Sequence, residues 1–434
     1  MTGFLPGIYD LPEKEIARIQ SELLVEAVDR AVRTSPYYRE RAAKAVRPGS
    51  VAELAGLPLT TKRDIQARNR DFWAAAPERI REVVATTGTT GTPVYVPMAD
   101  GDIERLAENE RRGFSWMGAR PGDLYHVAVT LDNLFVAGMA YHLGLRKIGA
   151  AAVRVGAQPA RRHLDLMREL CPAGVVAVPS LLLALARQAR SDGDDPESFA
   201  PRRALLIGDA IRDRDLRSNT LGRLLEEQWG GELFSTYGLT EAGLAFHECP
   251  ARQGLHSHPD LVVVEVVDEE GGPRPDGEPG ELVVTTLQVE AMPLLRYCTG
   301  DITFRIPGAC PCGRGGPRIG PILGRKQQRM KVKGTTVYPK TLEDALLSVP
   351  GVENYVIEAH TGDDGTDRVV VRVGTLSDDP CLGQMVGDTL FSKARVTPEV
   401  RLERPSAIER IRFEGGRRKP RLFLDLRKKG EGER

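Results

Sequence analysis

From residue 12 to 44 apolar positions recur at helical spacing, with Ile16, Ile19, Leu23, Leu24, Ala27 and Ala31 on one face, and the run stops at Ser35-Pro36. The spacing predicts an amphipathic helix that buries one stripe and ends before the proline. Between about 120 and 245 the pattern changes. Short apolar runs, Val127-Ala128-Val129, Ala151-Ala152-Val153, Val175 to Val178 and Ala204 to Ile207, alternate with helix-length amphipathic stretches such as Arg161 to Leu170 and Ser180 to Ala189. That alternation predicts a largely parallel sheet covered by helices. From 260 onward come β runs, Leu261 to Val267 and Leu282 to Thr286, joined by a Pro/Gly-rich turn at 271–280, which predicts a more antiparallel subdomain. Gly320 to Gly334 is basic and bracketed by glycines, and a helix over Pro339 to Val349 and a strand over Arg368 to Val373 then make a small α+β unit. The expected architecture is α/β: a large N-terminal domain, 1–324, of helix-covered, mostly parallel sheets plus a β-rich subdomain, and a small C-terminal α+β domain, 325–434.

Composition agrees with two or three units and an ample core, since 434 residues with a 41% apolar fraction exceed one small domain. Lys+Arg and Asp+Glu both number 60, so no global field draws the chain to nucleic acid or to an anionic membrane, and neither is an expected partner. The segment Met1 to Asp10 has neither a basic nor an apolar leader region, and the longest apolar run, Ala173 to Ala186, contains Pro179 and is too short to span a bilayer. A cytoplasmic protein is the expectation. Six cysteines in so long a chain do not make a disulfide scaffold; grouped ones suggest metal and scattered ones core.

Three segments carry candidate chemistry. Thr86-Thr87-Gly88-Thr89-Thr90-Gly91-Thr92-Pro93, between the strand-like Val83-Val84-Ala85 and Val94-Tyr95-Val96, reads as a hairpin whose amides and hydroxyls wrap a polyphosphate. No Gly-Lys-Ser/Thr closes it, so it is not a Walker A loop, and a plain Thr/Gly turn is the competing reading. Ser235-Thr236-Tyr237-Gly238-Leu239-Thr240-Glu241 places a ring that can stack on a purine and a carboxylate that can hold Mg²⁺ at a strand end, or is simply a corner with a core tyrosine. In Arg296-Tyr297-Cys298-Thr299-Gly300-Asp301 the aspartate can accept from a ribose diol or close an Asx turn.

Taken in order, Thr86 to Pro93, Tyr237 to Glu241, Arg296 to Asp301, Gly324-Arg325 through Lys333-Gly334 and a terminal lysine resemble the motifs of adenylate-forming enzymes, and most of all phenylacetate-CoA and related aryl-CoA ligases. The resemblance runs from Ser35-Pro36-Tyr37-Tyr38 and Leu57-Pro58-Leu59-Thr60-Thr61-Lys62 to Asp425. It implies an acid–thiol ligase that adenylates a carboxylic acid with ATP and passes the acyl group to CoA, or to a carrier-protein phosphopantetheine, and a homodimer is a further expectation. In that family pattern Thr86 to Thr92 hold the β- and γ-phosphates, Tyr237 stacks near the adenine with Gly208-Asp209-Ala210 on its other side, and Thr236, Gly238 and Thr240 belong to the same nucleotide-binding set. Glu241 binds Mg²⁺, and Asp301 and Arg325 hold the ribose. Gln328 marks the hinge of a mobile second domain, and Lys419 is the catalytic lysine that bridges the attacking carboxylate and the α-phosphate. The competing reading of Lys419 is a solvated basic tail, since residues 401–434 hold 12 Lys/Arg against 6 Asp/Glu. Two departures stand out: Thr92 replaces a usual lysine, and Gln327-Gln328 replace paired hinge aspartates.

The acid pocket is placed by the same resemblance at Leu134 to Gly138, with Phe135 against an aromatic ring and Gly138 on the lining helix. Asp132 either caps that helix with Asn133 or pairs with an amino or hydroxyl substituent of the acid. Cys249, His256, Cys310 and Cys312 form a separate set, three soft sulfurs and an imidazole suited to a structural tetrahedral Zn²⁺, with His258 as the alternative imidazole. Cys171, Cys298 and Cys381 read as core thiols. The rival function is a zinc-stabilised binding protein with a degenerate nucleotide site.

Overall fold

The computed structural model describes residues 3–42, 47–86, 93–332, 335–362, 366–415 and 420–427. They form two compact units, one holding most of the chain as far as Ile322, the other residues 219–221, 300–302 and 323 onward. In the first, the N-terminal helix spans Glu13–Thr34 and buries Ile16, Leu23, Leu24, Ala27 and Ala31. Pro36 then begins a second, short helix, Pro36–Ala42, because proline is tolerated in a first turn and nowhere later. The first helix thus stops before Ser35-Pro36, as its spacing predicts, and the remainder of the periodic stretch is the separate short helix.

An eight-stranded sheet forms the frame of this unit. Ala151–Arg154, Leu124–Val127, Gly174–Ala177, Arg203–Ile207 and Glu232–Leu239 lie side by side and parallel. The near-continuous burial of Gly174–Ala177, Arg203–Ile207 and Glu232–Leu239 is what a doubly covered parallel sheet requires, while the edge strand Ala151–Arg154 is partly exposed. Leu244–Glu248, Leu255–His256 and Arg318–Ile319 extend it antiparallel. A second, antiparallel ladder pairs Val262–Val267 with Gly280–Thr286.

Hydrophobic spacing does not reveal the helix Asp100–Trp116, which buries Arg105, Glu108, Asn109, Glu110 and Arg112 as well as Leu106 and Phe114. Its buried charges are all paired. Asp102 accepts backbone N–H bonds from Ala99, Glu290 and Ala291 at 2.8 to 3.0 Å. Arg112 grips Asp260 through two nitrogens, at 2.6 and 2.8 Å, and reaches Glu108 at 2.9 Å. Arg105, 1% exposed, donates to four backbone carbonyls, those of Ala242, Gly243, Leu261 and Leu287.

The second unit has a four-stranded sheet in the order Glu399–Glu403, Asp367–Gly374, Asn354–Thr361, Phe423–Asp425, antiparallel in the middle and parallel at both sides. The helices Pro339–Leu346 and Leu382–Ala394 pack Leu342, Leu346, Val386 and Leu390 against Ile357, Val371 and Val373. Two cysteines depart from the core reading. Cys171 is exposed in a left-handed C-cap, φ 43°, and Cys381 is exposed at the N-cap of Leu382–Ala394, because helix ends lie at the surface.

Arg105→Met keeps the stem and removes the guanidinium, taking the donor from the carbonyls of Ala242, Gly243 and Leu287, while that of Leu261 keeps the Leu287 N–H. It should lower the unfolding free energy by about 3–5 kcal/mol. Urea denaturation followed by circular dichroism measures this, and a loss below about 1 kcal/mol would mean that the carbonyls find other donors.

Candidate active site

Glu241 sits in the turn between Glu232–Leu239 and Leu244–Glu248, closed by a Gly243 N–H to Thr240 carbonyl bond of 3.1 Å. Gly243 there has φ 56°, which suits glycine, and Arg105 holds the carbonyls of Ala242 and Gly243 from behind. Glu241 is 9% exposed. Its Oε1 accepts from the Tyr297 hydroxyl and from Lys62 Nζ, each at 3.1 Å. Lys62 opens the helix Lys62–Ala67, whose first turn is fixed by reciprocal bonds between Thr61 and Asp64. Thr60 anchors that start: its N–H donates to the Arg296 carbonyl at 2.9 Å, its carbonyl accepts from Cys298 N–H at 2.8 Å, and its hydroxyl donates to the Leu295 carbonyl at 2.8 Å. Three chain segments, around 60, 240 and 297, thus converge on one carboxylate. The roles of Lys62 and Tyr297 escaped the sequence reading, although both lie in stretches that carried the resemblance.

The expected adenine residues lie at the C-terminal ends of neighbouring parallel strands, where ligands of such sheets bind. Ile207, just before Gly208-Asp209-Ala210, pairs with Thr236. Tyr237 is half-buried, with one ring face on Phe246 at 5.8 Å and 30°. The Thr236 hydroxyl is used within the fold, donating to the Phe246 carbonyl at 3.0 Å. Thr86 closes its hairpin: its N–H donates to the Val94 carbonyl at 3.0 Å and its hydroxyl accepts from Val94 N–H at 3.1 Å. Thr87, Gly88, Thr89, Thr90 and Gly91 lie outside the described residues, as does Lys419.

Asp301 continues the strand of Tyr297, pairs in register with Arg325 and faces its guanidinium at 3.4 Å. Gln328 ends a short 3-10 turn, Lys326–Gln328. Asp132 is not the helix cap: the helix begins at Val136 with Phe135 at the N-cap, and the Asp132 side chain is exposed, while its carbonyl accepts Phe135 N–H at 3.2 Å. Asn133 and Leu134, with φ of 57° and 61°, turn the chain so that the Leu134 carbonyl accepts Ala85 N–H at 2.9 Å, joining this loop to the foot of the hairpin. A Cβ on Gly138 would lie 2.3 Å from the Thr130 carbonyl oxygen, so the helix approaches that loop only as glycine.

The thiol set does assemble. Donor atoms of Cys249, His256, Cys310 and Cys312 all lie within 4.8 Å of one another. Cys249 and Cys310 sulfurs are 3.7 Å apart, and Cys312 Sγ is 3.5 Å from His256 Nε2. A tetrahedral ion with sulfur bonds of about 2.3 Å spaces its sulfurs about 3.8 Å apart, so the residues fit zinc. Burial pushes the Cys249 thiol up to about 12, and burial with nearby Arg318 and Arg314 takes His256 down to about 3. A neutral imidazole beside three soft sulfurs suits a soft divalent ion. His258 is committed elsewhere, hydrogen-bonded to Tyr9 and, at 3.3 Å, to His247, and stacked on Trp116. Of the two imidazoles, His256 is the one in the cluster.

Residues 12–291 match the AMP-binding enzyme family. The chain is 32% identical to the phenylacetate-coenzyme A ligase of Thermus thermophilus over 98% of its own length and 100% of that protein. It is 30% identical to that of Aromatoleum evansii over 86% of this chain and 84% of that protein. A solved 2-hydroxyisobutyryl-CoA ligase in its postadenylation state shares the fold, with TM-score 0.85 and 22% identity over 97% of this chain and 91% of that one. Matched by that family over residues 12–291 and by one ligase at 32% identity from end to end, the chain belongs to the AMP-binding enzyme family and is an AMP-forming acid–CoA ligase.

Proposed function

We propose that the acid is aromatic, that its adenylate forms at the site around Glu241, and that CoA is the thiol acceptor. The observation that carries this reading is the convergence of Lys62, Tyr297 and Glu241 beside the strand ends bearing Gly208 to Ala210 and Tyr237. The names of these two relatives, phenylacetate-coenzyme A ligases, support the aromatic acid. In the first half-reaction a carboxylate oxygen attacks the α-phosphorus of ATP and pyrophosphate leaves with the bonding pair. Lys419 neutralises charge between the acid and the α-phosphate as it builds. Thr86 to Thr92 hold the outer phosphates. Tyr237, backed by Phe246, stacks on adenine, and Asp301 with Arg325 holds the ribose. Glu241 is the carboxylate that would hold Mg²⁺, which supplies Lewis-acid neutralisation of phosphate charge when bound. Phe135 and Gly138 line the acid pocket, and Asp132 selects a polar ring substituent. Cys249, His256, Cys310 and Cys312 hold a structural zinc, four protein ligands leaving no open position for chemistry.

The direct test is acid-dependent exchange of pyrophosphate into ATP over a panel of carboxylic acids. Aryl acids should support exchange and short aliphatic acids should not; a panel led by aliphatic acids overturns the substrate class. Replacing Lys419 by Ala should slow exchange by on the order of 100-fold. The same variant should convert supplied acyl-adenylate and CoA to thioester with a far smaller loss, because that lysine serves the first half-reaction. Equal losses in both steps, or a matching loss from Arg421→Ala, would reduce the tail to a general electrostatic effect. For the metal, elemental analysis should find about one zinc per chain. Cys310→Ser should lose the metal and melt at a lower temperature, whereas a metal-free parent that is unmoved by chelators removes the assignment.

A further inference from the structure

A cavity of about 420 Å³ opens to solvent between the N-terminal helix and the segment that leads to Lys62, a volume within the range of small-molecule sites. Its walls are apolar, formed by Val28, Val32, Leu57, Pro58 and Leu295. The two hydroxyls that reach it are already satisfied. Tyr38 Oη lies 3.3 Å from Thr60 Oγ1 and accepts Leu295 N–H at 2.9 Å, while the Thr60 hydroxyl donates to the Leu295 carbonyl at 2.8 Å. None of these groups is left to hold a water, so an apolar group is the fitting occupant. Two guanidinium groups, those of Arg41 and Arg47, complete the lining. Arg47 is paired with Asp29 at 2.7 Å, but their side chains are 61% and 51% exposed, and such a surface pair contributes about 1 kcal/mol at most. Among the described residues Arg41 donates to the Tyr37 hydroxyl and, at 3.4 Å, to the Leu59 carbonyl, with the Asp64 carboxylate 3.9 Å away, which leaves most of its N–H groups for another acceptor.

We propose that this cavity is an effector site, separate from the site of adenylation, for a small aliphatic monocarboxylate, whose tail lies among the valines and leucines and whose carboxylate pairs with Arg41. A guanidinium suits that head group because it takes a carboxylate through two parallel N–H bonds. The link to catalysis is the wall that Thr60 and Leu295 provide. Thr60 is bonded through its N–H and its carbonyl to Arg296 and Cys298, the two neighbours of Tyr297. Tyr297 donates to Glu241, and Lys62, just beyond Thr60 in the chain, reaches the same carboxylate oxygen. An occupant packed against Thr60 and Leu295 removes freedom from this joint, so a divalent cation that needs Glu241 in one place binds with less ordering still to be done. Its effect on catalysis rests on the adenylation reading above, whereas its binding does not.

Calorimetric titration of the full chain with hexanoate tests the site, and 1-hexanol supplies the same tail without the charge. Hexanoate should bind the parent. Affinity should fall about 10- to 100-fold for 1-hexanol, and equally for hexanoate with Arg41→Met, the range for losing one charged hydrogen bond. Val32→Phe puts a ring into the cavity and should abolish hexanoate binding while its urea midpoint stays near the parent's. A parent that binds no hexanoate, or binding that survives both substitutions, overturns the proposal. In acid-dependent pyrophosphate exchange, saturating hexanoate should lower the magnesium concentration for half-activation about 5-fold in the parent and leave it unmoved in Val32→Phe. Hexanoate that binds in the cavity without moving the magnesium curve overturns the effector role. If the parent supports exchange with no carboxylic acid at all, the adenylation reading fails, while calorimetry still decides the cavity.

Discussion

One buried guanidinium holds the site turn in place. Arg105 donates to two carbonyls of the turn after Glu241, those of Ala242 and Gly243, and to those of Leu261 and Leu287, which flank the strands of the second sheet. A turn following a strand leaves carbonyls that the ladder cannot use, and each one buried without a donor costs free energy comparable to a lost hydrogen bond. A single planar cation with five N–H donors can serve four of them at once, which an apolar side chain cannot do. Burial brings the Arg105 guanidinium down to about 10, and Asp102 and Asp260 work against that fall. The helix Asp100–Trp116 is therefore a polar strut, with Arg105 on the Glu241 turn and Arg112, clamped on Asp260, on the start of the second sheet.

That strut continues into a chain of buried polar groups. Glu110 meets His247 at 3.1 Å, His247 meets His258 at 3.3 Å, and His258 meets the Tyr9 hydroxyl, which in turn accepts from Arg112 at 3.1 Å. Gly113 is where the helix comes closest, since a Cβ there would fall 2.2 Å from the His247 ring. The His258 imidazole is a neutral member of this chain; burial keeps it well below the ordinary histidine range. A satisfied network of this kind fixes one register for the strands it touches, because a slip by one residue would strand several donors together.

This explains what was legible in the sequence and what was not. The strands Gly174–Ala177 and Arg203–Ile207 are buried on both faces, so their apolar runs announce them, and the N-terminal helix shows its stripe for the same reason. Asp100–Trp116 is buried through charges, and periodicity read from apolar residues passes over it. Four ligand-type residues were visible by spacing at Cys249, His256, Cys310 and Cys312, yet the choice between His256 and His258 depends on which strand faces the sulfurs, information that spacing does not carry. Lys62 was likewise visible only as part of a motif. Its partner lies in a distant segment, and the pairing depends on Thr60 docking against Tyr297.

The thiol cluster answers a weakness in the same sheet. Leu255–His256 and Arg318–Ile319 are two-residue strands with two register pairs between them, too few ladder bonds to hold an edge against fraying. Arg318 adds bonds from its guanidinium to the carbonyls of Gln253 at 2.5 Å and Gly308 at 2.8 Å, drawing in the loop that carries Cys310 and Cys312. His256 lies on the first of those strands and Cys249 directly follows Leu244–Glu248, the strand that leaves the Glu241 turn. Whatever clamps the four donors therefore clamps the far end of the strand whose near end presents the carboxylate. One five-residue strand joins Cys249 to the Glu241 turn, so clamping its far end steadies that turn.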